Sequence, residues 1–304
     1  MKKINKVSVI INCYNSERFL KETLISLVKQ TYKNWELIFY DNNSDDKSYK
    51  IFKTFKDKRF KYYKSKKFEN LGLARKNALL KATGEYVAFL DSDDVWLKNK
   101  LKVQLKYFKN NKVGFVISNT IFFNEFKERN YLKKYSVFEN KIFYKLIENY
   151  FISFDSIIIK SIFLQRMDQT LDQRFNIIHD MDLIIRLSKI CEMRYAPFVL
   201  SKWRMRNDSL SFNNFGNIIS EKKLFIKKIN KKYKNDLKFI KCRVLFMDAL
   251  YRQEVLYFLT QKKTIKSLKL IKKLNFNGKN LVLFIIIFLP FKKYIFRHFL
   301  NIKF

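Results

Sequence analysis

Four runs of strand length alternate with three stretches of helical periodicity over residues 1–90, and this rhythm constrains the fold more than any single motif. Residues 7–12 form a continuous, uncharged, β-branched run, as expected of a buried strand. Residues 36–40, 60–63 and 86–90 follow as shorter runs. Between them, Phe19, Leu20, Leu24, Leu27 and Val28 share one helical face, and Ile51, Phe52 and Phe55 share another. Residues 73–82 read as a third helix, with Gly84 as its expected C-cap. Strand and helix in this order predict right-handed βαβ units, hence an α/β fold with a mainly parallel sheet.

In such a sheet ligands bind beyond the carboxyl ends of the strands. Three of these ends are polar or acidic: residues 12–17, 41–46 and 91–94. The last closes the run Ala-Phe-Leu-Asp-Ser-Asp-Asp-Val-Trp at 88–96. An apolar strand that stops in Asp91, Asp93 and Asp94 is costly unless something positive sits there. Hard oxygen ligands suit Mg²⁺ or Mn²⁺, and such a metal commonly holds phosphate oxygens. The competing reading is an acidic turn that caps the next helix. Convergence of three polar strand ends on one edge favours a ligand site.

Farther along, Leu101, Leu105 and Phe108 mark a helix, and residues 113–118 a fifth strand. Residues 119–150 are aromatic-rich with alternating charge and have no clear period. Residues 154–159 read as a strand, 180–190 as a helix with Leu183, Ile184, Leu187 and Ile190 on its apolar face, and 195–203 as extended. With 5 glycines, neither G-x-G-x-x-G nor a P-loop can be written. Cys13, Cys191 and Cys242 are odd in number and form no C-x-x-C, which points to a reducing compartment rather than a disulfide or zinc framework. Lys2, Lys3 and Lys6 precede an apolar run too short for a signal peptide, so a cytoplasmic location is expected.

The ordered motifs resemble the family 2 glycosyltransferases, with their GT-A type fold, over roughly residues 6–211. Val-Ser-Val-Ile-Ile-Asn-Cys-Tyr-Asn at 7–15 is similar to the family's opening strand, and Asp-Asn-Asn-Ser-Asp-Asp at 41–46 to its second acidic loop. Asn-Leu-Gly-Leu-Ala-Arg at 70–75 resembles its helix-opening segment, and residues 82–94 its D-x-D signature. The resemblance implies inverting transfer of a sugar from a nucleoside diphosphate sugar, taken as a UDP-sugar, to a hydroxyl of a glycan or lipid-linked acceptor. Carried over, Asp41 contacts the base, with Asn15 and Glu17 in the same nucleotide-sugar half. Arg75 and Asp91 lie near ribose or phosphates, and Asp93 ligates Mg²⁺ or Mn²⁺ beside Asp94. Asp180, in His-Asp-Met-Asp at 179–182, corresponds to the base; Asp182 supports the loop and pairs with Arg186. As plain helix N-terminal charges, Asp180 and Asp182 would only complement the macrodipole. Two departures stand out: His179 replaces the usual Glu, and Arg206 replaces a His that can join the metal site. A guanidinium there is expected to meet the diphosphate directly.

The net charge of +36 is extreme, and half of it falls in residues 220–304, which hold 22 Lys+Arg against 4 Asp+Glu. Codon bias accounts for part of that excess; nucleic acid, anionic lipid and an anionic substrate are the partners it permits. The organisation read from the sequence is a transferase domain at 1–215, divided near 118 into donor and acceptor halves, then a Lys-rich helical region at 216–304. Residues 281–291 are uncharged but too short to span a bilayer. They form either a core helix or an interfacial one flanked by Lys292, Lys293 and Arg297. The second reading places the enzyme on the inner face of the cytoplasmic membrane. Two other functions compete: a nucleotidyltransferase, which usually has a Gly-rich first loop absent here, and a non-catalytic basic protein binding membrane or nucleic acid. No nucleic-acid motif is present, and the ordered acids would repel phosphates without metal.

Overall fold

The computed structural model describes residues 5–132, 138–206, 208–210 and 214–274. The uncharged run at 281–291 with Lys292, Lys293 and Arg297, and Asn207 and Ser211 of the segment around Arg206, lie outside them. The chain divides into two compact units: Met1–Leu146 with Tyr150–Ser209, and Ile147–Asn149 with Leu210–Phe304.

In the first unit the strands are β1 (Val7–Cys13), β2 (Trp35–Asp41), β3 (Phe60–Lys64), β4 (Tyr86–Phe89), β5 (Val95–Trp96), β6 (Val113–Phe123), β7 (Glu128–Asn130), β8 (Ile158–Lys160) and β9 (Glu192–Arg204). Their order in the sheet is β3-β2-β1-β4-β8-β6-β9-β5, with β7 on β6. β3, β2, β1 and β4 are parallel. Every residue of β1 and β2 is buried. Full burial of each Val, Leu, Ile or Phe contributes about 1.5–3 kcal/mol, which explains why this strand pair was so plain in the sequence. Past β4 the sheet is mixed. β8 runs antiparallel to both β4 and β6, β9 parallel to β6, and β5 antiparallel to β9. The parallel character read from the rhythm therefore belongs to the first four strands.

The helices of this unit are α1 (Leu20–Val28), α2 (Ser48–Lys53), α3 (Leu71–Leu79), α4 (Lys100–Gln104), α5 (Phe143–Glu148), α6 (Ser161–Gln165) and α7 (His179–Leu187). α5 takes its last two residues from the second unit. Two sequence expectations need correction. α3 stops at Leu79, so Gly84 is not its cap. Gly84 instead lets the turn press on β1: a Cβ there would lie 2.6 Å from the Ser8 nitrogen. The strand expected at 154–159 exists only as β8, because Phe154–Ser156 is a 3₁₀ turn. There the Ser153 hydroxyl donates to Asp155, and the Ser156 hydroxyl donates to the Ser153 carbonyl at 2.6 Å. Such local side-chain bonds compete with a ladder.

The second unit holds α8 (Phe215–Tyr233), α9 (Leu237–Thr260) and α10 (Thr264–Ile271). The Asp236 carboxylate caps α9 by accepting from the Phe239 amide at 3.0 Å. Among the described residues no helix is long and apolar enough to cross a membrane.

Candidate active site

The three polar strand ends do meet, and they are tied to one another. Register places Cys13 beside Asp41 and Ile10 beside Phe89, so the loops after β1, β2 and β4 leave the same edge. Asn15, at φ 47°, accepts from the Asp45 amide at 3.1 Å through Oδ1. Glu17 accepts from the Lys47 amide at 2.9 Å, and its own amide donates to Asp46 at 2.8 Å. The Ser16 and Ser92 hydroxyls meet at 2.7 Å and join the first loop to the third. Asn15 and Glu17 thus brace the edge. Asp41 is fully buried; its carboxylate accepts from the Ser44 amide at 2.8 Å and the Tyr62 hydroxyl at 2.6 Å. Both carboxylate oxygens are thereby engaged, Oδ1 by the amide and Oδ2 by the hydroxyl.

A second group is built around Arg75. Asn70 caps α3 by accepting from the Leu73 amide at 2.9 Å, while its Nδ2 donates to the Gln173 carbonyl at 2.9 Å. The Leu71 amide donates to Asn176 Oδ1 at 2.8 Å. Gly72 permits the close approach: a Cβ there would sit 2.2 Å from the Phe175 carbonyl oxygen. These contacts fasten the start of α3 to the segment that leads into α7. Buried Arg75 then donates to Asp91 beyond β4 and to Nε2 of His179 at the start of α7, and lies 4.8 Å over the Phe154 ring. Nδ1 of His179 donates to the Asn176 carbonyl at 3.1 Å, so Nε2 presents its lone pair to the guanidinium. Burial, then the Arg75 charge, hold the imidazole well below its ordinary pKa and keep it neutral.

Asp180 follows His179 directly, half-buried at the helix start. Burial pushes its carboxyl up to about 6; Arg75 opposes that shift and Asp91 adds to it. Burial first, and then the Asp180 carboxylate, hold the hydroxyls of Tyr150 and Tyr131 above their ordinary range, Tyr131 at about 12. Asp182 is fully buried and pairs with Arg186 at 2.6 Å; Arg186 also donates to the Gln169 and Thr170 carbonyls.

The remaining acids after β4 differ sharply. Asp93 is pushed up to about 6 by burial and by Asp91, and Arg206 Nε stands 3.1 Å from its Oδ2. Asp94 is buried, accepts from the Arg204 amide at 2.9 Å, and is held well above its ordinary range by burial and by Asp93. Arg204 also donates to the Asp93 carbonyl at 2.8 Å and to Glu22. Asp94 therefore anchors the end of β9, whereas Asp91 and Asp93 present charge. His179, Tyr131, Tyr150, Phe154 and Arg204 had no role in the sequence reading. Only His179 was discernible there, as a departure inside a motif; the two tyrosines lie in or at the end of the stretch without a period.

The family model for glycosyl transferase family 2 matches residues 8–179, more than half of the chain. The chain belongs to glycosyltransferase family 2. This family 2 member is 32 % identical over 217 residues to the UDP-Glc:alpha-D-GlcNAc-diphosphoundecaprenol beta-1,3-glucosyltransferase WfgD of Escherichia coli, covering 69 % of this chain and 81 % of that one. An uncharacterized glycosyltransferase of Methanocaldococcus jannaschii is 30 % identical over 229 residues, 72 % of this chain and 76 % of that one. Against an uncharacterized glycosyltransferase of Rickettsia bellii, 32 % identical over 212 residues, the match takes in 69 % of this chain but 30 % of the relative. In fold, the family 2 chain is similar to Staphylococcus aureus TarS 1–349 in complex with UDP-GlcNAc, with TM-score 0.65 and 19 % identity over 89 % of this chain and 82 % of that one. It is also similar to the Pyrobaculum calidifontis mannosyltransferase PcManGT in complex with GDP-Man and Mn2+, with TM-score 0.58 and 16 % identity over 81 % of this chain and 74 % of that one. The GT-A type fold and the glycosyltransferase activity class expected from the motifs stand. A nucleotidyltransferase and a non-catalytic basic protein give way to that assignment.

Proposed function

We propose that this transferase moves a sugar, with inversion, from a UDP-sugar to a hydroxyl of a lipid-linked glycan in bacterial surface polysaccharide synthesis, with Asp180 as general base. One observation carries the reading. A single guanidinium, Arg75, joins Asp91 beyond β4 to His179 at the start of α7, next to Asp180. Donor-side acid and candidate base therefore share one cluster. The UDP-Glc donor of WfgD and the UDP-GlcNAc bound to TarS support a UDP-sugar donor, and the acceptor of WfgD supports a diphosphoundecaprenol-linked one.

The division of labour follows from the chemistry. An acceptor hydroxyl is a poor nucleophile until a base takes its proton, and a base with a pKa near 6 is ionised yet still basic at neutral pH. Burial, which pushes Asp180 up to about 6, supports that role. Neutral His179 and Asp91 hold Arg75 in position, while Asp182 and Arg186 hold the preceding loop. Asp41 faces the base of the nucleotide, on an edge braced by Asn15 and Glu17. Arg206 leaves Asp93 to meet the diphosphate, since a guanidinium fork matches phosphate oxygens.

A divalent cation fits this set in one way only. Among the described residues no group of three or more His, Cys, Asp or Glu could hold a metal ion. Mg²⁺ and Mn²⁺ do not need one, because one or two carboxylates plus substrate phosphates suffice. Asp93, with Asp91 close enough to raise it, supplies those carboxylates beside Asp94. When bound, the cation would stabilise, as a Lewis acid, the charge that develops on the departing diphosphate. Peripheral attachment to the inner face of the cytoplasmic membrane belongs to the same proposal, because the acceptor would be there. A panel of nucleotide sugars with Mg²⁺ or Mn²⁺, read by thermal shift, tests the donor assignment. A UDP-sugar should raise the melting temperature only with metal; stabilisation by no nucleotide sugar would remove the proposal.

A further inference from the structure

The second unit carries a surface that holds none of the residues assigned to sugar transfer. α8 and α9 form an antiparallel pair, with Lys222 on Gln253 and Asn230 on Arg243. A groove of about 450 Å³ opens along this pair. Ile226 and Met247 give it an apolar lining with exposed Val244 at its edge, and Lys227, Arg243 and Lys273 a cationic rim. The carboxylate that lines it, Asp248, is held by Arg252. The same side continues along the first half of α9. Leu237, Lys238, Lys241, Val244 and Leu245 are all exposed, at spacings that keep them together on one helix face, while Phe239, Cys242 and Phe246 are buried on the other. Leu237 is 76 % exposed and Leu245 52 %. Lys231, Lys232 and Lys234, also exposed, extend the basic border through the end of α8 and just beyond it.

Single exposed leucines need no explanation. Three apolar side chains in line, set among lysines and opening on a cationic groove, do. Charge selects an anionic partner. The protruding Leu237, Val244 and Leu245 select one that accepts apolar side chains at depth, which a bilayer does and a nucleic-acid backbone does not. We infer that this face, from Lys227 to Leu245 with Lys273, docks on an anionic lipid bilayer. Lipid phosphates enter the cationic rim, and the three apolar side chains reach the acyl boundary. The inference rests on the reading of a membrane-held acceptor, but moves the contact into the α8–α9 pair rather than residues 275–304.

The test uses the full chain with vesicles of phosphatidylcholine, with or without phosphatidylglycerol, read by cosedimentation, and nucleoside diphosphate release in solution as a separate readout. Wild type should sediment with the anionic vesicles and much less with neutral ones, and added salt should release it. Lys227→Glu with Lys241→Glu should lower vesicle binding at least about tenfold, since each basic residue near an anionic surface contributes measurably. Leu237→Ser with Leu245→Ser, which changes no charge, should lower it as well. All four positions are exposed, so both variants should melt like wild type and release nucleoside diphosphate at the same rate. Unchanged sedimentation of both variants, or equal binding to neutral vesicles, would overturn the inference while leaving the transferase reading intact. DNA binding without vesicle binding would overturn it too. Absent donor turnover with normal vesicle binding would instead count against the transferase reading alone.

Discussion

Two sets of acidic residues border the same sheet edge, and their partners set them apart. Asp41 and Asp46 answer to backbone amides and hydroxyls. Asp41 takes the Ser44 amide and Tyr62 hydroxyl, and Asp46 the Ser48 and Glu17 amides. Burial works against Asp46, yet those bonds hold it below the ordinary carboxylate range. Asp91 and Asp93 answer to arginines, Arg75 of α3 and Arg206 beyond β9. Asp93 and Asp180 are both pushed up to about 6. The first set is held in place by the fold's own donors, Asp46 as framework and Asp41 as the acid proposed to face the nucleotide base. In the second set burial has made the charge of Asp93 expensive, and a polar ligand would relieve it. Position at a strand end, which the two sets share, does not distinguish them; the donors around each carboxylate do.

The strongest way to break that comparison is Asp180→Asn. Loss of a general base costs about 10²–10⁴ in rate. Nucleoside diphosphate release in the presence of acceptor should fall by that amount, with the melting temperature close to wild type. Next is Arg206→Ala. A charge-assisted bond to phosphate is worth about 1.5–3 kcal/mol, so donor affinity by titration calorimetry should weaken about ten- to a hundredfold. Unchanged affinity and turnover would return Arg206 to the role of a counter-ion for Asp93.

The pH dependence sharpens the same contrast. A base with its pKa raised to about 6 is protonated and idle below that value. kcat/KM should therefore climb about tenfold per pH unit up to about pH 6 and level off above it. Asp93, also raised to about 6, acts in the same direction, so where its ionised form is needed for the cation the limb steepens toward about a hundredfold per pH unit. A profile flat from pH 5 to 8 would contradict both assignments. The smallest expected effect is on the support beneath Arg75. Gly72→Ala brings a Cβ to 2.2 Å from the Phe175 carbonyl oxygen, and overpacking of this kind costs about 1–3 kcal/mol. Chemical denaturation should show that loss. The accompanying drop in turnover should exceed that of Asn70→Ala, which removes a cap worth about 1 kcal/mol.

Legibility in the sequence followed locality. β1 and β2 were readable because all their side chains are buried, so the uncharged run reports directly on the core. The meeting of three strand ends followed from parallel topology alone. What stayed hidden depends on tertiary contact. β8 was misplaced because Ser153 and Ser156 divert the preceding residues into a 3₁₀ turn. Asp94, third of the acids after β4, is set apart from Asp93 in the sequence only by the family resemblance; the physical difference is the Arg204 amide of β9 that it accepts. His179 stood out as a departure from a motif, but its service to Arg75 needs a contact across 104 residues of sequence. Tyr131 and Tyr150 gave no sign, since the effect of the Asp180 carboxylate on their hydroxyls needs the tertiary fold to bring them together.

The contrast between the two sets of acids is tested most directly by donor-dependent nucleoside diphosphate release, measured with Mg²⁺ or Mn²⁺ on wild type, Asp93→Ala, Asp180→Ala and Asp46→Asn at matched folded fraction. The account predicts release by wild type, its loss in Asp93→Ala and Asp180→Ala, and its retention in folded Asp46→Asn. Wild-type rates in Asp93→Ala and Asp180→Ala would contradict it.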